Sequence, residues 1–436
     1  MKTLSMKVID NKLYMGDVSL TYLANKYKTP LIVYDEAGIR KKIDDYLKGL
    51  DNENVNGALC YASKAFIAPY LCDILKDKGC YIDAVSIGDL YLMNKASFPM
   101  SHIILHGNNK SIDDLEYAID NNVGLIVCDN LEELHRLNKL CDAKEKEVNT
   151  LFRINPGVEA HTHKYIQTSK LDSKFGESIF DSDTIDAIMK FYKNSKYLRL
   201  CGFHAHIGSQ ITSNESFIVL VKVISSFLKD ILDKYQYTPD IIDLGGGIAI
   251  KYLDSDNEPD ITSIVKEMVE VLLENLKENG ISIKKVFVEP GRSIVGDNGI
   301  TLYKVGAIKH TYANTNYVFI DGGMADNIRP ALYEAKYTVD NASCFDGKIE
   351  NREFNNYNVS GKCCESGDFI VKNYPMYKPN VDDILCVYST GAYCYSMSMN
   401  YNGLLRPACI FINKDKEKLV IKRETLEELV STCVFE

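Results

Sequence analysis

Eight short apolar runs recur before residue 292, at Ala58–Ser63, Tyr81–Ser86, His102–Gly107, Val123–Asp129, Thr150–Asn155, Leu198–Ile207, Ile241–Gly245 and Val286–Gly291. Helix-like stretches rich in Leu, Ile, Lys, Glu and Asp separate them. That alternation predicts parallel strands joined by helical crossovers, and eight such units close a (β/α)8, TIM-like barrel. In these barrels the C-terminal ends of the strands build the active site. Here those ends carry Lys64, Asp83, His106, Asp129, Arg153, His206, the run Gly245-Gly246-Gly247, and Glu289-Pro290-Gly291-Arg292. A barrel with only a structural role has no use for that series of residue types.

The pattern differs on both sides of the barrel. Lys12–Met15 and Pro30–Tyr34 read as short strands, and Gly38–Leu50 as a charged amphipathic helix. From Thr301 onward, alternating runs such as Tyr317–Ile320, Asp368–Val371, Ile384–Tyr388 and Ala408–Ile412 replace the helical crossovers. They predict a C-terminal antiparallel β domain, a sandwich or barrel completed by the N-terminal strands. The division expected is 1–37 for those N-terminal strands, 38–297 for the barrel and 298–436 for the β domain. Extra loop length falls near Thr162–Gly176, Gly208–Ser216 and Lys251–Thr262, and long loops at a catalytic face usually serve binding.

The chain has 436 residues, enough for a barrel and a second domain. A net charge of −10 argues against a nucleic-acid partner. The opening Met1-Lys2-Thr3-Leu4-Ser5-Met6-Lys7 leads into charged residues, so neither a secretory signal nor a membrane span is expected. Thirteen scattered cysteines without a C-x-x-C pair favour reduced thiols in the cytoplasm over a disulfide framework or a zinc site.

Each candidate group has a chemical and a plain reading. Lys64, closing Tyr61-Ala62-Ser63-Lys64-Ala65, is a Schiff-base nucleophile if the barrel mouth desolvates it, and otherwise a solvated charge. Gly245–Gly247 either lets backbone N–H groups approach a phosphate, helped by a following helix N-terminus, or is a tight turn. Its place after the seventh run, with Gly291 after the eighth, is where barrel enzymes commonly hold phosphate. Glu289 either faces a protonated ring nitrogen or pairs with Arg292. His204 and His206 share one face of the sixth run, and His161 and His163 form a second pair. A metal needs a third ligand, and nothing in the spacing demands one, so stacking on a cofactor or core packing is the better reading. Ser209 and Gln210 suit a polar loop over a phosphate. Cys363-Cys364-Glu365-Ser366-Gly367-Asp368 is either an acid and substrate anchor or a turn with an inert thiol.

Together these motifs resemble the pyridoxal-phosphate decarboxylases of the alanine-racemase-like barrel class. The resemblance spans essentially the whole chain. It rests on Tyr61-Ala62-Ser63-Lys64-Ala65, His206-Ile207-Gly208-Ser209-Gln210, Gly245-Gly246-Gly247 and Glu289-Pro290-Gly291-Arg292. It continues through Arg329-Pro330-Ala331-Leu332-Tyr333, Cys364-Glu365-Ser366 and Gly391-Ala392-Tyr393. Arg329 and the Cys364-Glu365-Ser366 stretch lean toward the branch acting on meso-diaminopimelate, whose distal end carries a carboxylate and an amine. Sibling decarboxylases of lysine, ornithine or carboxynorspermidine, and a non-catalytic homologue that binds a cofactor or protein partner, are the rival readings.

The resemblance implies pyridoxal 5'-phosphate as cofactor and no metal. It implies Lys64 as the Schiff-base lysine, Asp83 as a carboxylate near it, and His206 against the face of the cofactor ring. Ser209, Gly246, Gly247, Pro290, Gly291, Arg292 and Tyr393 would surround the cofactor, and Glu289 would meet its ring nitrogen. Arg292, Arg329, Tyr333, Glu365 and Tyr393 would bind substrate, and Cys364 would donate a proton. It also implies a homodimer with shared active sites, because the family's cysteine segment comes from the partner subunit. One departure is Gly361-Lys362-Cys363-Cys364, where the family usually has Gly-Pro-x-Cys. Another is Cys394, where a small residue is expected.

Overall fold

The computed structural model describes residues 3–158 and 173–435; His161 and His163 lie outside the described residues, as does most of the loop expected at 162–176. The chain divides into two compact units. One comprises Lys42–Ala249 and Pro259–Ser293, the other Met1–Lys41, Ile250–Glu258 and Ile294–Glu436.

In the first unit all eight apolar runs are strands: β1 Asn56–Ala62, β2 Tyr81–Ala84, β3 Ile103–Leu105, β4 Leu125–Cys128, β5 Val148–Asn155, β6 Leu198–His204, β7 Ile241–Asp243 and β8 Lys285–Val288. Each pairs in parallel with the next, and β8 returns to β1 through Lys285↔Asn56 to Val288↔Leu59, closing the barrel. The runs are apolar on both faces because a barrel strand is covered on both. Alternate residues such as Ala58 and Cys60, Leu125 and Val127, with Leu151, Cys201 and Phe287, form one buried cluster.

Helices follow the strands at Pro69–Asp77, Ile87–Lys95, Ile112–Asp120, Leu131–Lys144, Ser182–Asn194, Asn214–Tyr235 and Ile261–Glu278. Their starts carry local signals. Pro69 occupies the first turn of its helix, Ser111 and Asp114 make a reciprocal capping box, and Asn130, Asp181 and Asp260 accept backbone N–H groups. Their buried positions recur three and four apart, as at Leu134, Leu137 and Cys141. This frame fixes each strand end, and so each polar residue just beyond it.

The second unit is a β domain. Strand Leu31–Asp35 runs antiparallel to Gly299–His310 and parallel to Ala408–Asn413, so an N-terminal strand does complete the C-terminal sheet. Asn316–Ile320 and Phe354–Ser360 also pair in parallel, which makes the sheet mixed rather than wholly antiparallel. Lys12–Met15 joins Met6–Ile9 and Val18–Ser19 in a separate three-stranded sheet. Two buried apolar clusters fill this unit, one around Leu31, Val33, Ile300 and Ile410, the other around Tyr303, Val318, Val359 and Val387.

Candidate active site

The barrel gathers one group of the sequence-predicted residues at the strand ends. Glu289 follows β8 and is buried. Its Oε1 lies 2.7 Å from His106 Nε2, and its Oε2 lies 3.0 Å from His204 Nε2. Burial alone would raise its pKa; the two imidazoles outweigh that and hold the carboxyl well below its usual range. Burial pushes His204 down to about 4, so at neutral pH it is an uncharged donor from Nε2–H. Asp243, at the end of β7, is pushed well up by burial and then by the Glu289 charge, while its Oδ1 accepts the Gly245 N–H at 2.9 Å.

Asp83 ends β2 in register with Ala62, two residues before Lys64, and is 2% exposed. Burial raises its pKa, and the charges of His106 and Lys64 pull it back down. Lys64 sits in the turn Ser63–Ala65 directly after β1. That turn buries Ser63 and Ala65 and leaves Lys64 exposed. The expected burial of this lysine by the barrel wall is therefore corrected: within one chain Lys64 is exposed. The charge still reaches Asp83 and His206.

His206 is half-buried, and its Nδ1 accepts the Gly246 N–H at 3.1 Å. That bond fixes the ring plane and tautomer. Burial, then the Lys64 and Arg153 charges, push its pKa well down and keep it neutral. The glycine triplet is required sterically. A Cβ on Gly246 would lie 2.0 Å from Glu289 O, and one on Gly247, at φ +119°, would lie 2.3 Å from Gly208 O. The loops after β6, β7 and β8 are stitched together. Ile211 N–H bonds Gly247 O at 2.9 Å, and Arg292 donates from Nε and Nη2 to Ser209 Oγ at 3.2 and 3.1 Å.

The helix expected directly after the triplet is absent. Residues Ile250–Glu258 intervene and belong to the other unit, and the next helix starts at Ile261. A dipole contribution from that side does not apply. Helix Arg292–Val295 instead follows Gly291 directly, while Pro290 O accepts the Ala62 N–H at 3.0 Å.

His106, Asp243 and Arg153 were not among the candidate site residues, although His106 and Arg153 stand at strand ends. Arg153 is buried, with its guanidinium carbon 4.5 Å from the Phe175 ring centroid and its Nε 3.9 Å from Asp129. Position at a strand end was the available signal. Contact across the barrel was not readable from sequence.

The β domain gathers the other group. Arg329 is buried, donates from Nε to Tyr337 Oη at 3.1 Å, and lies 5.2 and 5.4 Å from the ring centroids of Tyr333 and Tyr393. Tyr393 holds a positive φ of 65°, next to buried Cys394, whose Sγ is 3.9 Å from Tyr337 Oη. The two adjacent thiols separate cleanly. Cys363 is buried, and burial pushes its thiol up to about 11. Cys364 and Glu365 are exposed, and the Cys364 N–H bonds Asn402 Oδ1 at 2.7 Å. Asp368 accepts Met324 N–H at 2.7 Å and Cys363 N–H at 2.8 Å, pinning the base of this loop.

The barrel group fits pyridoxal phosphate. Glu289 offers an ionised acceptor whose Oε1 has no well-aligned donor among the described residues, His206 offers a fixed neutral ring, and small residues line the loops where phosphate is expected. An eight-stranded barrel with this set at its strand ends and a β domain beside it in sequence fits a pyridoxal-dependent decarboxylase, and the family match establishes that class. The profile of the family described as "Pyridoxal-dependent decarboxylase, pyridoxal binding domain" matches residues 36–296. The chain is 40% identical to the diaminopimelate decarboxylase of Bacillus subtilis over 418 residues, 96% of this chain and 94% of that protein. It is 37% identical to the corresponding protein of Mycobacterium bovis over 429 residues, covering 96% and 94%. The solved diaminopimelate decarboxylase of M. jannaschii in complex with L-lysine superposes with a TM-score of 0.92 at 29% identity, covering 100% of this chain and 99% of that one. The chain therefore belongs to the diaminopimelate decarboxylase family, and its cofactor is pyridoxal phosphate. A lysine/ornithine decarboxylase from Vibrio vulnificus, at 21% identity and a TM-score of 0.75, shares the fold alone.

Proposed function

We propose that this chain decarboxylates meso-2,6-diaminopimelate to L-lysine and CO2, the last step of lysine biosynthesis. The observation that carries the reading is the buried, ionised Glu289 held between two imidazoles in the barrel that also carries Lys64, Asp83 and His206. Bound pyridoxal phosphate supplies an electron sink for the pair left when CO2 departs. Glu289 holds the proton at the ring nitrogen. Lys64 Nζ tethers the cofactor with Asp83 beside it, and His206 supports the ring face. Ser209, Gly247, Gly291 and Tyr393 hold the phosphate, while Gly246 and Pro290 shape the loops around it. Arg292, Arg329, Tyr333 and Glu365 bind the substrate, with Arg329 suited to a bidentate grip on the distal carboxylate. Cys364 Sγ gives the proton that replaces CO2. Residues 38–297 serve as the cofactor-binding domain, and 298–436 with 1–37 as the second.

The active form proposed is a homodimer in which Cys364 and Glu365 serve the partner's site. Their exposure supports this, as does an aromatic strip on the sheet, where Tyr317 stacks on Phe319 at 5.7 Å and Phe369 lies 6.3 Å from Tyr317, all three half-exposed. A cytoplasmic location is supported by thirteen cysteines without a disulfide. Among the described residues no helix is long and apolar enough to cross a membrane.

Two experiments test these roles. Borohydride reduction followed by peptide mapping should find the cofactor on Lys64; an adduct on another lysine refutes that assignment. Lys64→Ala and Cys364→Ala proteins, each inactive, should regain partial activity after subunit exchange. No recovery despite proven exchange would place each site within one chain.

A further inference from the structure

Four buried side chains from four strand ends converge inside the barrel. They are His106 after β3, His204 on β6, Asp243 on β7 and Glu289 after β8, and their ligating atoms all lie within 4.8 Å of one another. The imidazole rings of His106 and His204 meet edge to face with centroids 4.9 Å apart. Each turns its Nε2 toward a different oxygen of the same carboxylate, at 2.7 and 3.0 Å. The His204 contact is a hydrogen bond, and because an ionised carboxylate only accepts, His204 Nε2 carries the hydrogen; His106 Nε2 faces Oε1 at close range without that alignment. His204 Nδ1 is buried with no hydrogen-bond partner among the described residues, so no acceptor there competes for the hydrogen.

We infer that His106 and His204 are positioning residues for Glu289, which fix the plane of its carboxylate and keep it ionised toward the cofactor's ring nitrogen. This rests on the reading of Glu289 given above. A carboxylate in so buried a site takes up a proton unless donors compensate it, and a protonated Glu289 no longer holds a proton on the ring. The other titratable groups acting on the cluster are Asp243, whose pKa burial and Glu289 raise, Asp83, which interacts with Asp243, His106 and Glu289, and Arg153, whose charge acts on His204. The same four groups could in principle ligate a divalent cation. An ion would have to part the His204–Glu289 hydrogen bond at 3.0 Å and enter beside the 2.7 Å His106–Glu289 contact.

The test compares His204→Leu, His204→Gln, His106→Leu and Glu289→Gln, each as full-length holoprotein without substrate. Readouts are the visible absorbance of bound cofactor at one pH and the cofactor dissociation constant. Glutamine places an N–H near the imidazole Nε2 position, so His204→Gln should keep the parent spectrum. His204→Leu and His106→Leu should shift the band in the same direction as Glu289→Gln and weaken cofactor binding about tenfold. Should a leucine variant fail to fold by circular dichroism, His204→Asn replaces it, since its shorter amide does not reach Glu289. If Glu289→Gln leaves the band unmoved, the reading of Glu289 itself fails. If Glu289→Gln moves it and the histidine variants do not, only the positioning role fails. Tight binding of Zn2+ to the apoprotein, lost in His204→Leu, would overturn the proposal in favour of a metal site.

Discussion

Arg329→Lys keeps the positive charge and removes the planar fork, which makes it a sharp probe of substrate recognition. The guanidinium is 7% exposed, gives one N–H to Tyr337 at 3.1 Å, and lies against the rings of Tyr333 and Tyr393 at 5.2 and 5.4 Å. Lysine retains part of the cation–ring attraction, worth about 0.5–2 kcal/mol per ring. It loses the positioned hydrogen bond, a charged-donor contact worth about 1.5–3 kcal/mol. It also replaces a two-point grip on the distal carboxylate by a single point. Together these predict a loss of about 2–4 kcal/mol of transition-state stabilisation, a fall of roughly 30- to 1,000-fold in kcat/KM. CO2 release from meso-diaminopimelate measures it, with the cofactor dissociation constant and melting temperature as controls. Cofactor binding should stay near the parent value. A folded variant within about threefold of the parent would show that Arg329 does not grip the substrate, since threefold is under about 0.7 kcal/mol.

Two further predictions concern the fold. Lys110 is 1% exposed and bonds Gly107 O, Val127 O and Glu133 Oε1 at 2.8, 2.6 and 2.7 Å. Lys110→Met strands a buried carboxylate and should cost about 3–5 kcal/mol in urea unfolding, while Lys110→Met with Glu133→Leu should recover much of it; equal stability of the parent and the single variant would refute the pairing. Burial raises Asp326 to about 7, against an ordinary 3.8, although Tyr303 and the Gly323 N–H bond it. Between those values the folded chain holds a proton that the unfolded chain lacks, so stability falls as pH rises from about 4 to about 7. Asp326→Asn should match the parent near pH 4 and exceed it at pH 8 by on the order of 1–3 kcal/mol in urea titrations; no gain at pH 8 would place the carboxyl's titration elsewhere.

The barrel was legible because its strands are buried on both faces and so stand out as continuous apolar runs, each observed within two or three residues of its expected place. The N-terminal strand at Leu31–Asp35 was legible as an element, and its parallel pairing with Ala408–Asn413 was not, because partners so distant in sequence leave no local pattern. The environment of Lys64 was misread: strand-end position fixes where the backbone arrives, and the turn Ser63–Ala65 decides which side chain faces water. Sequence could not choose between Cys363 and Cys364 except through the motif, whereas the loop pinned by Asp368 buries one and exposes the other. The clamp on Glu289 was invisible for a similar reason. His106 precedes Glu289 by more than half the barrel, and only closure of β8 onto β1 brings the strand ends into one ring.

Product analysis after parallel incubation with meso-diaminopimelate, L-lysine and L-ornithine, each with pyridoxal phosphate, tests the central claim most directly. The account predicts stoichiometric L-lysine and CO2 from diaminopimelate, and at most slow release of CO2 from the other two. Decarboxylation of lysine or ornithine as efficient as that of diaminopimelate would contradict it.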